Sequence, residues 1–123
     1  MVIADTDILI AAIRGNALAQ KLLLKYSPHV YISIVSEMEL YVGATNAEKK
    51  KAVTAVLQNH NVLPLTKHVS DICLKLIKVY NTPNRSLYMP DALIAASCMD
   101  KGFSLLTFNT ADFKFIKGLK LAK

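Results

Sequence analysis

The stretch MVIADTDILI, residues 1–10, decides the fold. Its apolar run Val2-Ile3-Ala4 lacks the alternation of a half-exposed strand and is typical of a strand buried on both faces, as in a parallel sheet. Two acids, Asp5 and Asp7, follow the run, and apolar residues at helical spacing then continue to Ile13. The stretch therefore predicts a buried strand that ends at Asp5, where the first helix begins.

Similar apolar runs recur along the chain with helical patterns between them. We interpret three of them as further strands: Val30-Tyr31-Ile32, Val62-Leu63 and Ser104-Leu105-Leu106. Residues 69–80 carry the clearest helical stripe, Asn46 is expected to N-cap another helix, and Gly102 to C-cap a nearly all-apolar helix from about Asp91 to Lys101. Strands that alternate with helices predict a three-layer α/β/α fold around a mostly parallel sheet of four to five strands, with residues 1–123 forming a single domain.

Composition limits what this domain can be. The 53% hydrophobic content of 123 residues excludes an intrinsically disordered chain. No apolar run reaches the ~18 residues of a membrane span, and the first residues lack the basic segment of a signal peptide. The two cysteines form no CxxC motif, so we expect a cytoplasmic protein without a zinc site or a membrane association. Fifteen Lys and Arg against nine Asp and Glu favour a polyanionic partner.

Several of the nine acids fall at predicted strand ends or in the first helical turn after them. Asp5, Asp91 and Asp112 are placed in this way, together with a glutamate after the second strand. The carboxyl ends of parallel strands share one edge of a sheet, which is where ligands collect in such folds. Two carboxylates ~4 Å apart repel by about 4 kcal/mol at an effective dielectric near 20, so the cluster needs protons or a cation. Oxygen donors without His or Cys favour Mg²⁺ or Mn²⁺.

The helix after the second strand holds two glutamates, Glu37 and Glu39. Its predicted inward stripe is centred between them, so they flank it on opposite sides and only one can face a given site. The stripe consists of Ile34, Val35, Met38, Tyr41 and Val42. Periodicity alone leaves the choice between the two glutamates open.

Each acid also has a purely structural interpretation. Asp5 fits an N-cap, Ser36 with Glu39 fits a capping box, and Asn109 with Asp112 fits the same pattern. Asp91 fits an anion that complements a helix dipole. Because these caps would all lie at one edge of the sheet, even this interpretation gathers the carboxylates together.

Four motifs in order resemble those of PIN-domain nucleases, and most closely those of VapC-like toxins of prokaryotic type II toxin-antitoxin pairs. The motifs are Asp5-Thr6-Asp7-Ile8-Leu9-Ile10, Glu39-Leu40 with Gly43, Pro90-Asp91-Ala92-Leu93-Ile94-Ala95-Ala96, and Thr107-Phe108-Asn109-Thr110-Ala111-Asp112-Phe113. The resemblance implies a PIN-like fold and an endoribonuclease that hydrolyses RNA with Mg²⁺ or Mn²⁺. It implies that the catalytic, metal-holding acids are Asp5, Glu39, Asp91 and Asp112.

The resemblance also implies supporting residues and partners. Thr6, Thr107 and Asn109 fall where relatives support the metal or the substrate, and we expect the same of Asp7, where relatives often have Asn. Phe108 stands where many relatives have Arg. The cations expected to contact RNA are Arg14, Arg85, Lys114 and Lys117. A homodimer and a cognate antitoxin, a segment of which covers the active-site groove, are the implied protein partners.

Two other functions fit parts of the pattern. A haloacid-dehalogenase-type phosphatase also places a DxD motif such as Asp5-Thr6-Asp7 at a strand end, but it needs a Lys and a Ser or Thr at later strand ends. A PIN-like RNA-binding or assembly module without catalysis would keep the fold, but no acid of the four is replaced here.

Overall fold

Four short strands form a parallel sheet at the centre of the computed structural model, which describes residues 1–123. In chain order they are β1 (Val2–Ala4), β2 (Val30–Ser33), β3 (Asn61–Leu63) and β4 (Ser104–Leu106). The spatial order is β3-β2-β1-β4, and every pairing is parallel, with Val2 opposite Val30 on one side and Ser104 on the other. All four strands predicted from apolar runs are thus confirmed.

Six helices connect and cover the strands. They are α1 (Thr6–Ile13), α2 (Ala17–Tyr26), α3 (Ile34–Gly43), α4 (Ala47–Leu57), α5 (Lys67–Tyr80) and α6 (Met89–Lys101). A 3₁₀ turn at Thr110–Asp112 follows β4, and beyond it Leu121 forms an isolated parallel bridge with Leu105. The predicted α/β class is confirmed, with four strands and this bridge at the sheet's edge.

Two hydrophobic clusters lie on opposite faces of the sheet. Ile3 and Leu105 face a cluster built with α5 and α6, whereas Val2 and Ala4 face one built with α1, α2 and α4. These four strand residues are at most 2% exposed, which explains why the strands show no alternation. Burying an aliphatic side chain of this kind contributes about 1.5–3 kcal/mol.

The inward face of α3 differs from the predicted stripe. Val35, Ser36 and Leu40 are buried, whereas Met38 and Val42 are 57% and 81% exposed. The prediction was wrong because a polar residue occupies the inner face: the Ser36 hydroxyl shares a hydrogen bond with the buried hydroxyl of Thr6.

Helix boundaries agree with the sequence in part. Asn46 N-caps α4 through the amide of Lys49, and Gly102 C-caps α6 in the left-handed conformation, as predicted. The Ser36–Glu39 capping box is wrong, since α3 begins earlier and is capped by Ser33. The side chain of Asn109 makes no cap hydrogen bond, and α6 begins at Met89 rather than at Asp91. No helix has both the length and the hydropathy of a membrane span.

Candidate active site

Asp5 lies at the carboxyl end of β1 and is fixed by three bonds. Its backbone N–H donates to the carbonyl of Leu106 in β4 at 2.8 Å. Its carboxylate N-caps α1, since Oδ1 accepts from the Thr6 N–H at 2.8 Å, and Oδ2 accepts from the Thr107 hydroxyl at 2.8 Å. The expected N-cap is confirmed, and it also aims the carboxylate at the sheet's edge.

Burial raises the pKa of Asp5 to about 7. The hydrogen bonds from Thr107 and Thr6 lower it, and the charges of Asp7 and Asp91 raise it further. The fully buried Cys98 lies close enough for the charge of Asp5 to raise its thiol pKa, although burial is the larger cause. Asp5 thus holds a carboxylate in an apolar surrounding that disfavours its charge.

Asp91 is the acid on which the charges of three other acids act. It lies in the first turn of α6, where no side chain caps the helix. Its pKa is raised to about 6, first by burial and then by the charges of Asp112, Glu39 and Asp7. The charge of Asp91 in turn raises the pKa of Asp5, so the structure brings all four predicted acids, and Asp7, to one edge of the sheet, near enough for their charges to interact.

The geometry distinguishes Glu39 from Glu37. Glu39 Oε1 accepts from the Thr6 hydroxyl at 2.8 Å, and the Ser36 hydroxyl lies 2.8 Å from the same Thr6 oxygen. Because the carboxylate only accepts, Thr6 donates to Glu39 and Ser36 donates to Thr6. Glu37 instead lines a shallow groove on the outer side of α3 with Met38.

Asp7 ties α1 to the end of β4. Its Oδ2 accepts from the Phe108 N–H at 3.0 Å and lies 3.3 Å from the Thr107 hydroxyl oxygen. Its Oδ1 is the one buried side-chain oxygen or nitrogen atom that has no hydrogen-bond partner. Such an atom costs about 1–3 kcal/mol unless something binds it.

Asp112 and Asn109 lie on the exposed segment that follows β4. Asp112 ends the 3₁₀ turn, and its N–H donates to the carbonyl of Asn109 at 3.0 Å. The N–H of Asn109 donates to the Thr107 hydroxyl oxygen at 3.0 Å. The Thr107 hydroxyl therefore links this segment to Asp5 through hydrogen bonds.

The acid cluster offers the oxygen donors that a hard divalent cation prefers, but its side chains are spread out. No three Asp, Glu, His or Cys side chains are gathered as tightly as metal ligands. The donors are all carboxylate oxygens, and Asp7 Oδ1 is unpartnered. The pKa values of Asp5 and Asp91 are raised mainly by burial and further by repulsion from the other acids. A cation that binds here would relieve this repulsion and draw the carboxylates inward.

The two predicted arginines line different clefts, and each of these clefts includes at least one of the acids. Arg14 lines a cleft of about 240 Å³ with Glu39 and an open one of about 550 Å³ with Asp7. Arg85 lines a cleft of about 430 Å³ with Asp91 and Asp112. Lys114 and Lys117 are exposed on the segment after the 3₁₀ turn and line none of these clefts.

Sequence reasoning missed three residues around the site. Ser36 was assigned to a cap, although its place three residues before Glu39 puts both on one helical face. Tyr88 and Phe115 line the cleft of Arg85 but belong to no motif. The only available signal for Tyr88 was its position, three residues before Asp91.

A parallel α/β/α sheet with a cluster of acids at its carboxyl edge is the arrangement that the resemblance to PIN domains implied. The PIN domain family model matches residues 2–118, and the chain belongs to this family. It is 31% identical to Ribonuclease VapC10 of Mycobacterium tuberculosis, over 98% of this chain and 91% of that protein. It is 30% identical to Ribonuclease VapC1 of Rickettsia felis, over 97% and 92%.

A solved structure gives the same result. A toxin-antitoxin complex from Klebsiella pneumoniae contains a chain with a TM-score of 0.83 and 28% identity, covering 97% of this chain and 95% of that one. The resemblance to PIN domains, and among them to VapC-type proteins, is thus confirmed. The phosphatase alternative receives no support.

Proposed function

We propose that this chain is a metal-dependent endoribonuclease that hydrolyses RNA phosphodiester bonds, and the toxin of a type II toxin-antitoxin pair. The observation that carries the proposal is the convergence of Asp5, Glu39 and Asp112 with Asp91 at one edge of the sheet. Membership of the PIN domain family and the names of the relatives, both ribonucleases, support it.

In this proposal the four acids would hold Mg²⁺ or Mn²⁺. Such a cation would supply positive charge for the phosphoryl oxygens as negative charge develops on them. Asp5, which Thr6 and Thr107 hold in place, would be the most rigidly positioned of these acids, and the charges of three other acids act on Asp91. Thr6 orients Glu39, and Asp7 offers its free Oδ1 as a further acceptor.

The cations around the site offset its negative charge. An acid cluster repels the RNA backbone, so phosphate groups need positive charge beside it. Arg14 and Arg85 supply that charge from separate clefts, and Lys114 and Lys117 extend it along the exposed segment after β4.

The cleft beside Glu39 suits an antitoxin segment. Six of its ten lining residues are hydrophobic, among them Ile10, Ile13 and Leu40, and Arg14 lies at the same cleft. A peptide with an apolar face and a carboxylate for Arg14 would cover the approach to Glu39. The exposed Met38 and Val42 of α3 are our candidates for part of a homodimer interface.

The decisive experiment is RNA cleavage by the purified protein. Cleavage is expected with Mg²⁺ or Mn²⁺ and not with EDTA, and Asp91→Asn should abolish it without a lower Tm, because it removes a repelled charge. A catalytically silent module would instead bind RNA equally well in EDTA and after Asp5→Asn, and the unmutated protein would not cut.

A further inference from the structure

The cleft of Arg85 also contains two acids of the cluster. Asp91 and Asp112 form its acidic side, and Arg85, Tyr88 and Phe115 line it as well. It therefore joins the expected metal site to one cation and two aromatic rings, a combination that the roles assigned above leave unexplained.

Arg85 is held in place without a carboxylate partner. Its guanidinium lies 4.1 Å from the centre of the Phe115 ring, a favourable cation–π distance. The Phe115 ring in turn packs against the Tyr80 ring, with 5.5 Å between the ring centres. Backbone hydrogen bonds between Thr82 and Arg85 close the turn that carries the arginine. Arg85 forms no salt bridge, although Asp91 and Asp112 line the same cleft. Its donors are available for a phosphate group.

Tyr88 presents an unpaired aromatic ring at the same cleft. It is 66% exposed, and its hydroxyl makes no hydrogen bond within the chain. Its backbone is fixed, because its carbonyl accepts from the Ala92 N–H at 2.9 Å at the start of α6. Tyr88 therefore has a fixed backbone position three residues before Asp91, and its aromatic ring is exposed to solvent.

An exposed aromatic ring and an arginine without a carboxylate partner, both lining one cleft, match one component of RNA in particular. An unpaired base stacks on such a ring, while the guanidinium binds a backbone phosphate. A base inside a duplex is already stacked on its neighbours and cannot reach the ring. The chemistry thus selects a single-stranded or looped segment.

We propose that this cleft binds one unpaired nucleotide beside the bond that is cut, with its base stacked on Tyr88 and a phosphate held by Arg85; this rests on the proposed ribonuclease function. Tyr88 is a specificity-determining residue in this arrangement, and Phe115 is a positioning residue that acts through Arg85.

The test uses a short single-stranded RNA with 2-aminopurine at each position in turn. The fluorescence of this base falls when it stacks on an aromatic ring, and measuring in EDTA at low salt makes the readout independent of cleavage. One position is expected to be quenched by the wild-type protein. Tyr88→Ala should remove that quench and weaken binding by about 5- to 150-fold, the range for one lost base stack. Tyr88→Phe should restore both.

Met89→Ala is the matched control, because Met89 is 63% exposed on the same helical turn and does not line the cleft. It should leave the quench and the affinity unchanged. A second assay compares cleavage of the same RNA with an abasic site at the quenched position. The missing base should slow the wild-type protein and have no further effect on Tyr88→Ala.

The outcomes separate the two proposals. Cleavage with Mg²⁺ but an unchanged quench and rate in Tyr88→Ala overturns the nucleotide site and keeps the ribonuclease, and the ring then belongs to a protein-binding surface. A Tyr88-dependent quench without cleavage keeps the nucleotide site and overturns the ribonuclease. Equal binding of a fully paired duplex also overturns the site.

Discussion

The hydroxyl of Thr107 donates a hydrogen bond of 2.8 Å to Oδ2 of Asp5, a residue 102 positions away in the sequence. This bond joins the ends of β1 and β4 and favours the charged form of Asp5, since it lowers a pKa that burial raises. The same hydroxyl oxygen accepts from the Asn109 N–H. A neutral residue therefore helps to position the carboxylate of Asp5 and favours its charged form.

Thr107→Val should destabilise both the fold and the metal site, because it keeps the shape of the side chain but removes the hydroxyl. We expect a loss of about 1–3 kcal/mol in the free energy of unfolding, the cost of a buried hydrogen bond to a charged group. Urea titration measures it, and the Mg²⁺ concentration for half-maximal cleavage should rise. Thr45→Val, at an exposed threonine between α3 and α4 whose hydroxyl makes no hydrogen bond within the chain, is the control and should cost under about 0.5 kcal/mol. Equal effects of the two variants would contradict a special role for Thr107.

The stability of the metal-free protein should fall as the pH rises. Burial raises the pKa of Asp5 to about 7 and that of Asp91 to about 6, above the ordinary value of 3.8 that the unfolded chain shows. Between these values the folded state binds more protons than the unfolded state, so the free energy of unfolding decreases from about pH 4 to pH 7. Urea titration across this range, with EDTA present, measures the slope.

Asp5→Asn should make that slope shallower and stabilise the protein most near pH 7 to 8. Asp71→Asn is the matched control, because Asp71 is exposed and pairs only with Lys67. Saturating Mg²⁺ should also flatten the wild-type slope, since a bound cation compensates the charge. A wild-type stability that rises over the same pH range more steeply than that of Asp5→Asn would contradict the prediction.

Glu39→Gln should impair cleavage, whereas Glu37→Gln should not. Glu39 shares the edge of the sheet with Asp91 and is oriented by Thr6, but Glu37 lies on the outer side of α3. We expect the cleavage rate of Glu39→Gln to fall by at least about 10- to 100-fold, because a loss of this size is typical even of residues that only support a metal site. Cleavage rates at saturating Mg²⁺ and the Tm of each variant provide the comparison, and the reverse order of effects would exchange the two assignments.

The sequence predicted the strands and the position of Asp5 because both depend on local residue patterns. A strand buried on both faces consists of an uninterrupted apolar run, and the residue after it lies at the edge of the sheet, so Asp5 could be placed from Val2-Ile3-Ala4 alone. Asp91 could not be placed in this way, because α6 follows α5 rather than a strand. Pro90 and the apolar helix that follows predicted only that Asp91 lies in a first helical turn.

The orientation of α3 could not be predicted, because a tertiary hydrogen bond decides it. Periodicity assumes that apolar residues face inward, yet Ser36 is buried against Thr6 while Met38 and Val42 remain exposed. The choice between Glu37 and Glu39 depended on that orientation. The residues around Ser36 do not indicate that it bonds to Thr6, which lies 30 positions away in the sequence.

The salt dependence of RNA binding should identify the cations that contact phosphate. Each contact with a single strand contributes about 0.7 to the slope of log K against log salt concentration, because a condensed counterion is released. Arg14→Gln and Arg85→Gln should each reduce the slope by about that amount in EDTA, since each arginine lines a cleft with the acids. Lys21→Gln, at an exposed lysine of α2, is the control and should leave the slope unchanged. Phe108→Arg adds a charge beside Asp7, where Phe108 is 40% exposed, and should increase the slope by a similar step. Equal slopes for Arg14→Gln, Arg85→Gln and Lys21→Gln would mean that the RNA contacts a diffuse basic surface rather than these two clefts.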